Sequence, residues 1–100
     1  MLSGLARKGR IMVDKGAVLA IEEQDKSLLP AGVIKVEGEF HRGDIVDILD
    51  ESTNRLGCGI SNYSSADLAI IMRKHSDSIP ILLGYDYGDE AIHRNNMVVL

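Results

Sequence analysis

Residues 44–62 read DIVDILDESTNRLGCGISN, and this stretch decides the fold class. Over 45–50, each of the two faces of an extended chain would carry two apolar residues and one aspartate, which predicts a strand at 44–49. The turn-forming residues ESTN follow, and a second strand is predicted over 55–62. Gly57 and Gly59 in that strand indicate tight curvature or a close backbone approach, as at the corner of a small barrel. The stretch therefore predicts a curled hairpin rather than a flat sheet.

A short strand (10–13) and a helix (15–24) are predicted upstream of this hairpin. Asp14 is a good helix N-cap, and the apolar residues after it recur at spacings of three and four, so they share one helical face. An extended segment over 27–36 comes next. A kink interrupts it at 29–32, where a proline removes a backbone donor and a glycine permits an unusual turn.

Two helices and a final strand are predicted downstream. A capping signal begins at Ser64, and apolar residues follow it at helical spacing. The same spacing extends the helix to His75, which predicts that this side chain lies at the edge of the core or at the helix C-terminus. A short helix over 76–83 would end at Gly84, and the apolar residues 97–100 predict a strand that closes the sheet.

Composition bounds the class of protein. One hundred residues, 45% hydrophobic and 26% charged, fit one small globular domain that is below the usual size of a complete metabolic enzyme. The net charge of −4 is the wrong sign for a domain that depends on phosphate contacts. A single cysteine, Cys58, cannot form an internal disulfide, and no apolar run is long enough to span a bilayer. We therefore expect a cytoplasmic protein without a membrane segment.

The sequence offers no pattern typical of an active site. The three histidines are far apart and form no metal-type pair, and neither of the common glycine-rich phosphate-binding motifs occurs. Cys58 lies between two glycines and is interpreted as a small buried strand residue. The acidic stretch 84–90 lacks the spacing of a calcium loop and is interpreted as a solvated loop. No catalytic, cofactor-binding or metal-binding residue is predicted in this chain.

Six short blocks, in order, resemble the C-terminal region of bacterial-type glutamate 5-kinases. The blocks are VDKGA (13–17), SLLPAGV (27–33), RGD (42–44), NYSS (62–65), LGY (83–85) and IHRNN (92–96). The resemblance covers residues 10–100 and implies a PUA domain, a mixed α/β, mainly β pseudo-barrel of five or six short strands with two or three short helices. Residues 1–9 are then interpreted as a linker or an expression start.

The resemblance also implies a function. Glutamate 5-kinases transfer a phosphoryl group from ATP to the side-chain carboxylate of L-glutamate, with magnesium, in the first step of proline synthesis. An amino-acid-kinase domain does this chemistry, and no residue here matches its motifs. ATP and magnesium are therefore expected only for a kinase domain outside this chain. The resemblance implies an accessory module that tunes the feedback inhibition and the metal dependence of the kinase. Its expected partner is that kinase domain, and assembly into a homo-oligomer is a further possibility.

Other PUA domains bind structured RNA through the first helix, the loop after it and the last strand, so a stand-alone RNA-binding module is the alternative. The positions that correspond here, together with the polar block before the last strand, form the candidate surface: Gly16, Ala17, Leu29, Pro30, Gly32, His93, Arg94 and Asn95. Few cations lie near them in sequence, which disfavours RNA.

Each part of the candidate surface could also serve the fold alone. Gly16 could serve close helix packing, and Pro30 and Gly32 could be required by the loop geometry. The block from His93 to Asn95 could bind a ligand, face the kinase domain or hold the terminal turn through side-chain to backbone hydrogen bonds.

Overall fold

The computed structural model describes residues 8–100, so the linker predicted over 1–9 lies mostly outside the described residues. Five strands and three α-helices form this part of the chain: β1 (Gly9–Val13), α1 (Lys15–Glu22), β2 (Val33–Gly38), β3 (Ile45–Leu49), β4 (Arg55–Ile60), α2 (Ser65–Ile71), α3 (Ile79–Leu83) and β5 (Met97–Val99). Short 3₁₀ turns occupy Pro30–Gly32, Ser76–Ser78 and Arg94–Asn96. The predicted mixed, mainly β class is confirmed. Over the described residues, no helix has the length and apolar character that crossing a membrane requires.

The five strands form one curved sheet in the order β2-β1-β3-β4-β5. Neighbouring strands are antiparallel except β1 and β3, which are parallel. The parallel pair is possible because α1, the Pro30–Gly32 turn and β2 together provide the long crossover that such a pair needs. An isolated bridge joins Leu28 to Ile92, in the segments that lead toward the two edge strands. This bridge links the segment before β2 to the segment before β5, so the two edges of the curved sheet lie close and the sheet forms a pseudo-barrel.

Close backbone approach accounts for the glycines of β4. A Cβ on Gly57 would lie 2.0 Å from the Val98 carbonyl oxygen, and one on Gly59 would lie 2.7 Å from Ile92 Cγ2. β5 and the segment before it therefore cross β4 at a distance that no side chain permits. This confirms the close approach that the sequence predicts, and Cys58 between the two glycines is buried as expected.

The helix ends follow the local chemistry of the sequence. The Asp14 carboxylate accepts a hydrogen bond from Ala17 N at 2.8 Å, and Ser64 Oγ accepts one from Asp67 N at 3.2 Å. Each bond satisfies a donor that has no partner within its helix. Gly84 ends α3 in the left-handed conformation (φ 80°) that glycine adopts without steric cost.

The predicted position of His75 is wrong. α2 ends at Ile71, because Met72 leaves the helical conformation and Arg73 is left-handed with φ 64°. His75 is exposed, and its Nδ1 accepts a hydrogen bond from Asp77 N, so it caps the next 3₁₀ turn instead of extending α2.

Candidate ligand and partner surface

A groove of about 350 Å³ lies between α1 and the segment that follows it. Glycine, alanine and leucine residues form most of its wall, and Lys26, Ser27 and Glu90 are its polar members. The groove exists because residues 14–17 and 29–32 approach closely: Asp14 N donates to Gly32 O at 3.0 Å. Four residues of the candidate surface line it, namely Gly16, Ala17, Leu29 and Gly32.

The two glycines of the groove have different roles. A Cβ on Gly32 would lie 2.8 Å from Ala17 Cβ, whereas a Cβ on Gly16 would meet nothing closer than 3.5 Å. Gly32 therefore makes the close contact between the turn and α1. Gly16 has room for a side chain, so the close helix packing considered for it belongs to Gly32 instead.

Pro30 does not face the groove. Its side chain is fully buried, and its carbonyl oxygen accepts a hydrogen bond from Arg73 N at 2.9 Å. Pro30 also begins the 3₁₀ turn, where its fixed φ is favourable. In this structure it forms part of the loop and the core.

Arg73 is a residue that the sequence analysis missed. Its Nη1 donates to Asp14 Oδ2 at 2.6 Å and to the Ala31 carbonyl oxygen at 3.0 Å, and it thereby joins the end of α2 to both walls of the groove. Burial by itself raises the pKa of the Asp14 carboxyl. The hydrogen bonds from Arg73 and from the backbone N–H of Ala17, together with the Arg73 charge, outweigh burial and lower this pKa below 3.8. The residues are 59 positions apart, so no local pattern could reveal the contact.

The block from His93 to Asn95 does not line the groove, but the fold brings it close. Arg94 N donates to Ser27 Oγ at 2.9 Å, and Ser27 is a groove residue. His93 Nδ1 accepts from Asn95 N at 3.1 Å and caps the 3₁₀ turn before β5. The turn-holding role is therefore present, while ligand binding and contact with a kinase domain stay predictions.

The charges at the groove are sparse. Among the residues that the structure describes, Lys26 is the one cationic residue in its wall, and Glu90 lies in the same wall. Recognition of a phosphate chain needs several convergent cationic side chains. Within residues 8–100, moreover, no three His, Cys, Asp or Glu side chains group together in a way that could hold a metal ion.

A tyrosine cluster fixes the acidic loop at 84–90. The buried Tyr63 hydroxyl donates to the Gly88 carbonyl oxygen at 2.6 Å and accepts from Tyr87 N at 3.0 Å. Burial raises the pKa of Tyr63, and the neighbouring carboxylate of Asp86 adds to this effect. The loop is exposed, as predicted. Three of its groups nevertheless form hydrogen bonds with the buried Tyr63 hydroxyl: the Asp86 carboxylate, the Tyr87 N–H and the Gly88 carbonyl oxygen.

The same loop is joined to α2. The Tyr85 hydroxyl donates to Asp67 in the first turn of that helix, and this bond to a carboxylate raises the pKa of Tyr85 to about 12. The guanidinium of Arg42 lies 4.1 Å from the centre of the Tyr87 ring, a cation–π contact. Tyr85 and Asp67 are 18 positions apart, so no local pattern predicts that they meet.

Comparison with known proteins identifies the fold family. The family model described as "PUA domain" matches residues 9–83. The chain belongs to the PUA domain family. This PUA domain is also similar over its whole length to curated glutamate 5-kinases: it is 50% identical to that of Shewanella woodyi and 53% identical to that of Dehalococcoides mccartyi, each over 100 residues. It spans 27% of the length of these relatives.

Solved structures agree on the fold. A PUA domain from Aeropyrum pernix K1, crystallised as a tartrate complex, is 37% identical, with a TM-score of 0.60, over 64% of this PUA domain and 35% of that chain. A chain of the archaeal box H/ACA Nop10–Cbf5 complex also has a TM-score of 0.60, over 99% of this PUA domain and 25% of that chain. Its identity of 15% makes it evidence for the fold alone. The PUA fold expected from the six blocks is therefore confirmed.

Proposed function

We propose that this PUA domain is the accessory and regulatory part of a glutamate 5-kinase, the ATP-dependent enzyme that makes L-glutamyl 5-phosphate in the first step of proline biosynthesis. The observation that carries the proposal is the identity of 50% and 53% to such kinases over all 100 residues. The matched part is 27% of their length, and we assign catalysis to a domain in the remainder. We place the whole protein in the cytoplasm.

The chemistry of the described surface supports a non-catalytic role. The groove beside α1 has one cation, one carboxylate and a mainly apolar wall, whereas a nucleotide site needs backbone donors and cations around the phosphates. ATP, magnesium and glutamate would bind in the kinase domain. The PUA domain would act on that domain through contact and would change its response to proline and to magnesium.

An exchange of domains tests this proposal. The segment of the Shewanella woodyi enzyme that matches this chain is replaced by the chain, and glutamate-dependent ATP consumption is measured against proline and magnesium concentration. We expect the chimera to follow the parent enzyme, and we expect a variant without the segment to keep phosphorylation but respond differently to both. A chimera that behaves like the deletion variant would contradict the proposal, as would turnover by this chain alone.

RNA binding is the second candidate. The observation that favours it is the likeness in fold to a chain of the archaeal box H/ACA sRNP Nop10–Cbf5 complex, which is a ribonucleoprotein. The net charge of −4 and the single lysine of the groove oppose it. Fluorescence anisotropy with a structured RNA tests this candidate function at about 50 mM salt, where electrostatic binding is strong. We expect no association, whereas micromolar binding that weakens steeply with added salt would establish the RNA-binding function.

A further inference from the structure

The surface formed by α3 and the residues after it is unusually apolar for an exposed helix. Ile81 is 83% exposed, Leu82 is 43% exposed, Tyr85 is 41% exposed, and Pro80 is exposed beside them. Only Ile79 of this five-residue helix is fully buried. Single exposed apolar residues are ordinary, but a consecutive group is typical of a surface that another protein part covers. We call Pro80, Ile81, Leu82 and Tyr85 the α3 face.

The segment that contains the α3 face is acidic in sequence, although the guanidinium of Arg42 lies 4.1 Å from the centre of the Tyr87 ring within it. Residues 76–90 contain four acidic residues and no lysine, arginine or histidine. Asp77 precedes the face, and Asp86, Asp89 and Glu90 follow it. An apolar centre in a mainly acidic segment favours a partner surface that has an apolar centre and basic residues around it.

The start of β1 lies on the same side of the domain as the first turn of α2. Gly9 packs so tightly on the Phe40 ring that a Cβ there would lie 2.6 Å from Phe40 Cδ2. Phe40 O in turn accepts a hydrogen bond from Ser65 N, at the first residue of α2. The first turn of α2 also bonds Tyr85 through Asp67. Gly9, the first residue of β1, is therefore linked through Phe40 to the first turn of α2, which is bonded to Tyr85 of the α3 face.

We infer that the α3 face is the surface on which the kinase domain of the same polypeptide packs, through an apolar patch bordered by lysine or arginine. This inference rests on the proposed function, because that proposal supplies the upstream domain. Its length agrees: the relatives that match all of this chain extend well beyond it, and the chain spans only 27% of them. Packing there would cover a face that the PUA domain leaves exposed, and would give the domain a contact through which it acts.

Thiol labelling of the chimera described above tests the inference. Ile81→Cys and Leu19→Cys are made separately, since Leu19 is a comparably apolar residue, 50% exposed, on α1. Maleimide labelling is followed by peptide mass spectrometry, which separates the new thiol from the buried Cys58. We expect Ile81→Cys to react about tenfold more slowly than Leu19→Cys, a ratio that corresponds to a modest packing free energy. Two further variants contain Leu82→Cys, one alone and one combined with Ile81→Asp, and we expect faster labelling in the combined variant.

Each outcome decides the matter. Equal rates for Ile81→Cys and Leu19→Cys overturn the inference, and so does protection that disappears on dilution, because a second copy would then cover the face. Glutamate phosphorylation is measured on the same samples. Protection without regulated phosphorylation leaves the packing surface in place and removes the proposed function, whereas regulated phosphorylation without protection does the reverse. Thermal unfolding of each variant verifies that the substituted proteins are folded.

Discussion

Arg73 shows how one side chain positions a candidate site. It has a left-handed backbone (φ 64°), which costs an ordinary residue about 1 kcal/mol, and this conformation persists because three hydrogen bonds are made from it. Those bonds hold Asp14 at the start of α1 and the carbonyl groups of Pro30 and Ala31. The spacing of the groove walls therefore depends on a residue outside the groove.

Arg73→Ala is expected to lower the free energy of unfolding by about 1 kcal/mol, since the ion pair is half-exposed and its carbonyl partners can be hydrated. The pKa of Asp14 is lowered in the folded protein, so its stabilising effect is present above the ordinary value of 3.8 and is lost as pH falls through the lowered pKa. Urea unfolding at several pH values should show the difference between wild type and variant shrinking below pH 3.8. Lys74→Ala is the control, and an equal loss in it would contradict a specific role for Arg73.

The two groove glycines give a matched pair of substitutions. Gly32→Ala is expected to destabilise by about 1–3 kcal/mol, because the new methyl group would overlap Ala17. Gly16→Ala is expected to be neutral or to stabilise by up to about 1 kcal/mol, because alanine is the better helix former and the site has space. Thermal unfolding of both variants measures the difference, and a larger loss at Gly16 would refute the assignment of the close contact to Gly32.

Among the elements, α2 is connected to three separate parts of the chain. Its first turn bonds Phe40 and Tyr85, and Arg73, two residues beyond its last residue, Ile71, bonds the Pro30–Gly32 turn. The helix has only seven residues, too few to be stable by itself in water. Its stability therefore comes from these contacts and from Leu68 and Ile71, which are fully buried.

Asp67→Asn should lower the pKa of Tyr85 from about 12 toward its ordinary value of 10.0. An asparagine oxygen still accepts the phenol hydrogen bond, but it has no charge to oppose tyrosinate formation. A pH titration of the tyrosine ring carbons by NMR measures the change, with Asp77→Asn as the control. A Tyr85 pKa that is unchanged in Asp67→Asn would show that this carboxylate does not cause the shift.

At the scale of the whole molecule, the end of the chain completes the sheet. β5 pairs with the centre of β4, and Leu100 N donates to Leu56 O at 2.8 Å. The bridge between Leu28 and Ile92 adds a second connection from the same terminal segment to the region of the groove. Residues after 90 therefore join two sides of the pseudo-barrel, and folding requires contacts between distant parts of the chain.

Gly57→Ala is expected to destabilise the whole domain by about 2–4 kcal/mol, since its methyl group would lie 2.0 Å from a backbone oxygen that can move only with β5. Hydrogen exchange should show faster exchange at Val98 and Leu100, whose amides face β4 in this antiparallel register, together with a lower urea midpoint. Gly16→Ala serves as the control for an added methyl group. Unchanged protection of the β5 amides in Gly57→Ala would contradict the close crossing.

The amino-acid sequence by itself determined most of the elements and their ends. The caps Asp14 and Ser64 and the terminating Gly84 act on backbone groups within three or four residues, so their effect is readable in place. Gly57 and Gly59 also indicated a close approach, because glycine weakens a strand interior and is favoured there where a bend or a neighbouring backbone leaves no space for a side chain. The helix predicted to reach His75 is longer than α2, which ends at Ile71, because the apolar spacing continues past the last helical hydrogen bond.

Only the tertiary structure decided which side chains meet. Arg73 bonds Asp14 across 59 positions, and Tyr63 bonds the loop at 86–88 from more than 20 positions away. The parallel pairing of β1 and β3, and the choice of Gly32 over Gly16 as the contact glycine, depend in the same way on how the crossover packs. Local preferences fix backbone conformation over a few residues, whereas the partner of a side chain is selected by the burial and hydrogen bonding of the entire fold.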